Sequence, residues 1–477
     1  MSEALAKKLA DFTSKGYVIA PAGYGKTHLI ALAVKEASNQ QLILTHTFAG
    51  VNSIKTKMAL LGIPSSKYQI DTIASWTLKL CLAYPSSSQW QVDRPEGKQW
   101  NQLYGSCSDL LKKEFIRYII SSTYSGLYVD EYQDCSQIQH SLVSTLSEFL
   151  PCRILGDPLQ AIFDFADTPV DWDLCVYPHF ECLGELDIPW RWYNEDAHEL
   201  GDWLKEVREI LVSGKKIKFN KKLPNGVNKV SVDLNDYKNP KRHKLFYDFL
   251  KLDKDTVIAI HAGDPRSKHK THKLAQNLAG KFSSIEEVEG RDLFVFFKKY
   301  DLAKTEAQAF QLVLDFSKKC FTGVDKTLSA GTKRCEITKK TKTTKYPDIL
   351  CSANSYLDNQ TSKTLRDFFK LLKNNPETNT YRRDLLNRFM NVLKIHIDGD
   401  AESLLEAANL YQKDFRHSGR PIRHTKQIAT TLLVKGLEYH HAIILDADLL
   451  GLKELYVALT RGSRSITIIS SSDELPV

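Results

Sequence analysis

The sequence predicts an α/β fold of parallel sheets carrying helices, and three runs of residues predict it. Tyr17-Val18-Ile19 is a short β-branched and aromatic run, followed by a small-residue loop and a helical stretch. Leu127-Tyr128-Val129 is a second buried-strand run, and it ends in two acids, Asp130 and Glu131. Thr256-Val257-Ile258-Ala259-Ile260 supplies a strand in the second half. Strand runs that alternate with helical patterns point to a parallel sheet.

The first run leads into Ala20-Pro21-Ala22-Gly23-Tyr24-Gly25-Lys26-Thr27-His28, and Leu29 to Ala33 continues as helix. A strand, a small-residue loop and then Gly-Lys-Thr opening a helix is the arrangement of a phosphate-binding loop. Glycines at 23 and 25 let backbone N–H groups turn toward phosphate oxygens, and the helix N-terminus adds partial positive charge. Lys26 is expected to reach the β and γ phosphates, and the Thr27 hydroxyl to ligate Mg²⁺. The usual first glycine of the pattern is Ala20 here.

The second run supplies the partner site. Acids at the C-terminal end of a strand are where such an enzyme places a metal ligand and a water-activating carboxylate. Asp130 is expected to hold Mg²⁺ through its shell, and Glu131 to polarise the attacking water. With the loop about a hundred residues upstream, the pair predicts hydrolysis of a nucleoside triphosphate.

Asp130-Glu131-Tyr132-Gln133-Asp134, followed by Leu155-Gly156-Asp157-Pro158-Leu159-Gln160-Ala161-Ile162-Phe163, resembles motifs II and III of the UvrD/Rep-type superfamily 1 helicases. Leu44 to Gly50 resembles motif Ia, Asp71 to Trp76 motif Ib, and Pro189 to Trp192 motif IV. Leu433 to Tyr439 resembles motif V, and Leu455 to Arg461 motif VI. Members of this family also carry alanine where Ala20 stands. The resemblance includes compact members found in bacterial antiphage systems of the Gabija type, beside a nuclease.

This resemblance implies two RecA-like P-loop motor domains with reduced 1B and 2B insertions, ATP and Mg²⁺ as cofactors, and DNA as partner. By the same resemblance Gln160 senses the γ-phosphate, Arg191 and Arg461 act as arginine fingers from the second motor domain, and Glu438 contacts the ribose. A guanidinium suits a finger because it stays charged and bridges two phosphate oxygens as a fork. Phe48, Trp76, Phe163 and Phe165 fall where the family stacks rings on single-stranded bases, and Thr45 and Thr47 are placed to bond phosphates. Departures occur too: no glutamine precedes Gln40, so the upstream adenine-reading motif is missing, and Phe165-Ala166 replaces the usual Trp-Arg of motif III.

Motif spacing sets the expected organisation. The first motor domain is expected over 1–185 with a short 1B insertion at about 80–122, the second over 186–284 and 416–477, and a 2B-like insertion over 285–415. Within that insertion, Lys318 to Lys345 holds nine basic and two acidic residues, a loop suited to phosphate backbone. Asp236-Tyr237-Lys238 ends like a nuclease motif, but no upstream acids accompany it, so no nuclease site is expected.

Composition bounds the rest. The 477 residues, 42% hydrophobic and 26% charged, exclude a mostly disordered chain or a collagen-like fibre. No apolar run is long enough to span a membrane, and Met1 to Phe12 lacks the core of a secretory signal, so a cytoplasmic protein is expected. Nine cysteines without a C-x-x-C pair read as reduced thiols. His140, His198, His440 and His441 show no metal spacing, leaving Mg²⁺ with the nucleotide as the ion expected. Residues 1–190 carry 15 basic and 20 acidic side chains, against 50 and 37 in the remainder, an asymmetry that suits a polyanion partner for the second half. The reading is an ATP-dependent DNA translocase or helicase moving 3′ to 5′ on single strands. The alternative is a DNA-sensing ATPase subunit that controls a partner nuclease.

Overall fold

The computed structural model describes residues 2–162, 168–219, 222–233, 240–263, 267–418 and 424–476. Two units divide the chain. The first takes Met1–Ile217, Lys222–Gly226 and Gly451–Arg464, and the second takes Lys218–Lys221, Val227–Leu450 and Ser465–Val477. The packing therefore draws the line elsewhere than at residue 185: most of 186–226 and the stretch 451–464 group with the first unit.

The first unit is built on six strands: β1 (Lys15–Ile19), β2 (Gln41–Thr45), β3 (Tyr68–Thr72), β4 (Gly126–Val129), β5 (Cys152–Gly156) and β6 (Glu181–Glu185), in the order β3-β2-β4-β5-β1-β6. Every ladder is parallel. β2, β4 and β5 are buried along their whole length, so apolar residues follow one another in them as Leu42-Ile43-Leu44, Leu127-Tyr128-Val129 and Ile154-Leu155. Parallel strands cannot be joined by a tight hairpin, so each connection needs a crossover, and helices such as Lys26–Glu36 and Phe48–Leu60 supply it. One face packs Leu29, Ile30, Val34, Ile54 and Met58, and the other packs Trp76, Leu103, Leu110, Leu142 and Leu146. The segment expected as insertion 1B forms helices Gln99–Leu111 and Glu114–Thr123, whose buried residues belong to this second core.

The second unit repeats the plan. After the two-residue β7 (Ile217–Lys218) come β8 (Val227–Val230), β9 (Val257–His261) and β10 (Ser283–Ser284). β11 (Phe321–Thr322) and β12 (Asn379–Thr380) form a separate antiparallel pair. β13 (Lys426–Thr430), β14 (Tyr439–Ile444) and β15 (Gly462–Ile469) complete a sheet ordered β10-β13-β9-β14-β15-β8. Its ladders β10–β13, β13–β9, β9–β14 and β15–β8 are parallel. The expected strand run at 256–260 is thus the central β9.

The region expected as a 2B-like insertion is helical. Helices Arg291–Asp301, Glu306–Cys320, Pro347–Asp358, Ser362–Asn374 and Arg383–Asp398 gather Phe296, Phe310, Phe316, Phe368, Phe369 and Phe389 into a core of their own. Arg382, 4% exposed, reaches both oxygens of buried Glu286 at 2.7 and 2.6 Å and Asp292 at 2.7 Å. A guanidinium buried this deeply persists because both its charge and its donors are matched. The 318–345 stretch contains β11 and the helical turns Val324–Thr327 and Ala330–Lys333.

Candidate nucleotide site

The site lies at the C-terminal ends of β1, β4 and β5, all in the first unit. The loop leaving β1 is pinned by Ala20 N–H donating to the Gly156 carbonyl at 2.9 Å. Gly23 has φ 79° and Gly25 φ 90°, left-handed conformations that side chains resist. A Cβ at Gly23 would also stand 2.9 Å from Arg191 Cβ and from the Trp192 ring. Gly25 caps the helix Lys26–Glu36, and no side chain bonds its first N–H groups. Those donors, together with the helix dipole, make a ready anion seat. Ala20, Pro21, Ala22 and Tyr24 are buried beneath the loop, while Thr27 and His28 are half-buried.

Lys26, 9% exposed, places Nζ 2.6 Å from Glu131 Oε1 and 3.4 Å from Asp130 Oδ1. Burial disfavours its charge, but the two carboxylates outweigh that and hold the ammonium above the ordinary lysine value. Burial and the neighbouring Glu131 push the Asp130 carboxyl up to about 6, against the pull of Lys26. Asp130 accepts the Glu131 N–H at 3.0 Å, and Glu131 itself has φ 56°. A left-handed glutamate is uncommon, and this one turns the chain sharply where β4 ends.

A hydrogen-bond chain runs onward from Glu131. Gln133 donates to Glu131 Oε2 at 2.5 Å and accepts the Asp157 N–H at 3.0 Å. Asp157 is fully buried and receives Gln160 Nε2 at 3.2 Å and Arg208 Nη2 at 3.2 Å. Tyr456 also bonds it, and burial with Asp157 beside it raises the phenol well above its usual range. Arg208 Nη1 lies 3.1 Å from Glu185. Gln133 and Asp157 stand inside motifs II and III, where the resemblance assigned them no role. Tyr456 stands inside motif VI, likewise without a role, whereas Arg208 lies in no motif and nothing in local sequence marks it, because only the packing of helix His198–Val212 delivers it.

Arg191 and Arg461 meet at one residue. Arg191 N–H donates to the Gly23 carbonyl at 2.9 Å, and its Nη1 to the Thr460 carbonyl at 2.7 Å. Arg461 is 1% exposed and wraps the end of helix Leu452–Leu459, with Nε on the Val457 carbonyl and Nη2 on Thr460 Oγ1, both at 2.8 Å. Both arginines belong to the first unit, with the loop, and not to the second as expected. Glu438 is exposed and belongs to the second unit.

The residues expected to touch DNA divide. Thr47 is exposed and caps helix Phe48–Leu60, accepting the Gly50 N–H at 3.0 Å, and Phe48 is half-buried. Two expectations need correction. Thr45, 1% exposed, is the buried last residue of β2. Trp76, 4% exposed, belongs to the core, and its indole bonds Tyr124, so its ring has no free face for a base. Phe163 and Phe165, like Asp236 to Lys238, lie outside the described residues.

Among the described residues no three His, Cys, Asp or Glu gather to hold a metal ion. Asp130 and Thr27 would offer Mg²⁺ one carboxylate and one hydroxyl, with phosphates and water supplying the rest, as this ion prefers. No described helix is long and apolar enough to cross a membrane.

Residues 89–171 match the family model of the UvrD/REP helicase N-terminal domain. The chain is therefore UvrD-like over the stretch that carries Asp130, Glu131 and Gln160. No curated protein matches. Among solved structures, the arterivirus nonstructural protein 10 helicase in complex with DNA is 11% identical at a TM-score of 0.36, covering 99% of this chain and 63% of that one. The same protein without DNA is 10% identical at 0.36, covering 98% and 61%. The PRRSV helicase is 10% identical at 0.34, covering 98% and 54%. This chain thus spans less than two thirds of the length of each of these three solved chains.

Proposed function

We propose that this UvrD-like chain hydrolyses ATP with Mg²⁺ and uses the energy to translocate 3′ to 5′ along single-stranded DNA. The observation that carries the reading is Lys26, held by Asp130 and Glu131 at the mouth of a glycine-turned loop with open helix N–H groups. A buried ammonium shared between two carboxylates is poised for exchange. With phosphates present, Lys26 would follow the greater negative charge, Asp130 would be left to hold the cation, and Glu131 would be released to take a proton from water. The cation, when bound, supplies electrostatic stabilisation of the phosphoryl group in transfer. Gln133 keeps the second Glu131 oxygen aimed, and Arg191 and Arg461 bring positive charge to the same neighbourhood.

The second reading is an ATPase subunit that senses DNA and controls a partner nuclease with little unwinding; the burial of Trp76 and Thr45 supports it only as weaker grip on a strand. One paired assay separates the two: ATP turnover and strand displacement, each with and without single-stranded DNA. Stimulated turnover with displacement supports the motor, and turnover without displacement supports the sensing subunit. Lys26→Ala is expected to abolish turnover. Wild-type turnover no greater than that of the variant would overturn both readings.

A further inference from the structure

We propose that Arg208 is a positioning residue for the proposed hydrolysis, acting through Asp157 on Gln160 and, by way of Gln133, on Glu131. The inference rests on the proposed ATPase function and adds a residue that lies in none of its motifs. Arg208 sits on helix His198–Val212, yet its guanidinium reaches Asp157 at 3.2 Å and Glu185 at 3.1 Å. Its Nε is buried without a hydrogen-bond partner. Such an arginine is costly to bury, and it stays because Asp157 needs a countercharge.

That need grows during turnover. In the structure, Lys26 also lies close enough to Asp157 to feel its charge. Once phosphates draw Lys26 away, Arg208 is the cation still in contact with Asp157. Asp157 fixes the amide of Gln160 through its second oxygen, and its own N–H fixes Gln133, whose amide holds Glu131. If Asp157 loses its cation, its carboxylate is free to turn from Gln160, and a shift of the residue carries its N–H away from Gln133. Gln160 and Tyr456 also hold Asp157, and neither carries a charge to replace the one removed.

The test compares Arg208→Gln and Arg208→Lys with wild type in single-turnover ATP hydrolysis and in binding of a fluorescent ATP analogue. Arg117→Gln, which breaks the surface pair with Glu148, serves as a charge-matched control. Arg208→Gln is expected to lower kcat about 10- to 100-fold with KM changed little, as when aligned groups are misplaced. Arg208→Lys should recover part of the loss, and Tyr456→Phe should lower kcat less. Asp157→Asn combined with Arg208→Gln should be no worse than the poorer single variant, because both break one linkage. Rates are scaled to the fraction of protein that binds nucleotide, so misfolded protein does not count. A kcat for Arg208→Gln equal to that of Arg117→Gln, or additive losses in the double variant, would overturn the role. Absence of turnover in wild type would instead overturn the ATPase reading itself.

Discussion

Asp130 is a carboxyl that burial and Glu131 have lifted to about 6. Its folded value lies above the ordinary one, so the folded protein takes up the proton more readily than the unfolded chain. Falling pH therefore favours this group's folded state, and what disappears through that range is its ability to meet a cation. Since kcat/KM reports ionisations of the free enzyme, kcat/KM for ATP should decline as pH drops through about 6. Asp130→Asn should abolish Mg²⁺-dependent turnover at every pH. A wild-type profile flat down to about pH 5 would show that Asp130 does not govern the reaction. At this scale the sequence was most informative, because Lys26, Asp130, Glu131 and Gln160 lie in contiguous motifs. Each lies just past a strand end that its own motif marks, and the parallel order β4-β5-β1 then brings those ends to one edge of the sheet. Arg208 was not legible, since it lies 51 positions beyond Asp157 and its helix must dock before the pair exists.

Strand runs announced the elements well, since a strand buried on both faces is mainly apolar, and β2, β4, β5 and β9 carry such runs in Leu42-Ile43-Leu44, Leu127-Tyr128-Val129, Ile154-Leu155 and Val257-Ile258-Ala259-Ile260. Helices between them were harder to interpret by role. Trp76 on helix Ile73–Ala83 follows a motif where aromatic rings meet bases, and sequence cannot distinguish a ring packed inward from one offered outward. The structure distinguishes them, because the ring is 4% exposed in the core and its N–H is satisfied by Tyr124. Trp76→Ala should therefore destabilise the first unit by about 3–5 kcal/mol, the usual cost of emptying a large core site. Urea unfolding measures it. A variant of unchanged stability with weakened affinity for single-stranded DNA would restore the stacking role instead.

Over the whole molecule, charge is the property that no single motif explains. Acidic residues outnumber basic ones in 1–190, and the excess of 50 over 37 lies in the remainder. In the basic 318–345 stretch, much of that charge is spent internally: Lys318 pairs with Asp325 at 2.9 Å, Lys319 with Asp292 at 2.9 Å, Arg334 with Glu336 at 2.8 Å and Lys345 with Glu377 at 3.3 Å. Lys339, Lys340 and Lys342 are exposed and form no salt bridge among the described residues. Paired cations gain little from a phosphate, because each must first surrender its carboxylate, whereas exposed lysines release condensed counterions when they bind. Lys326 and Lys333 are likewise exposed and form no salt bridge among the described residues, so if the second unit grips a nucleic-acid backbone through this stretch, the clustered Lys339, Lys340 and Lys342 carry part of the salt dependence. Replacing all three by glutamine should reduce the slope of log affinity against log salt by about 2 for single-stranded DNA, roughly 0.7 for each phosphate left without its lysine. Fluorescence anisotropy across a salt series measures that slope. An unchanged slope would assign the polyanion grip to other residues and leave this stretch a solvated surface.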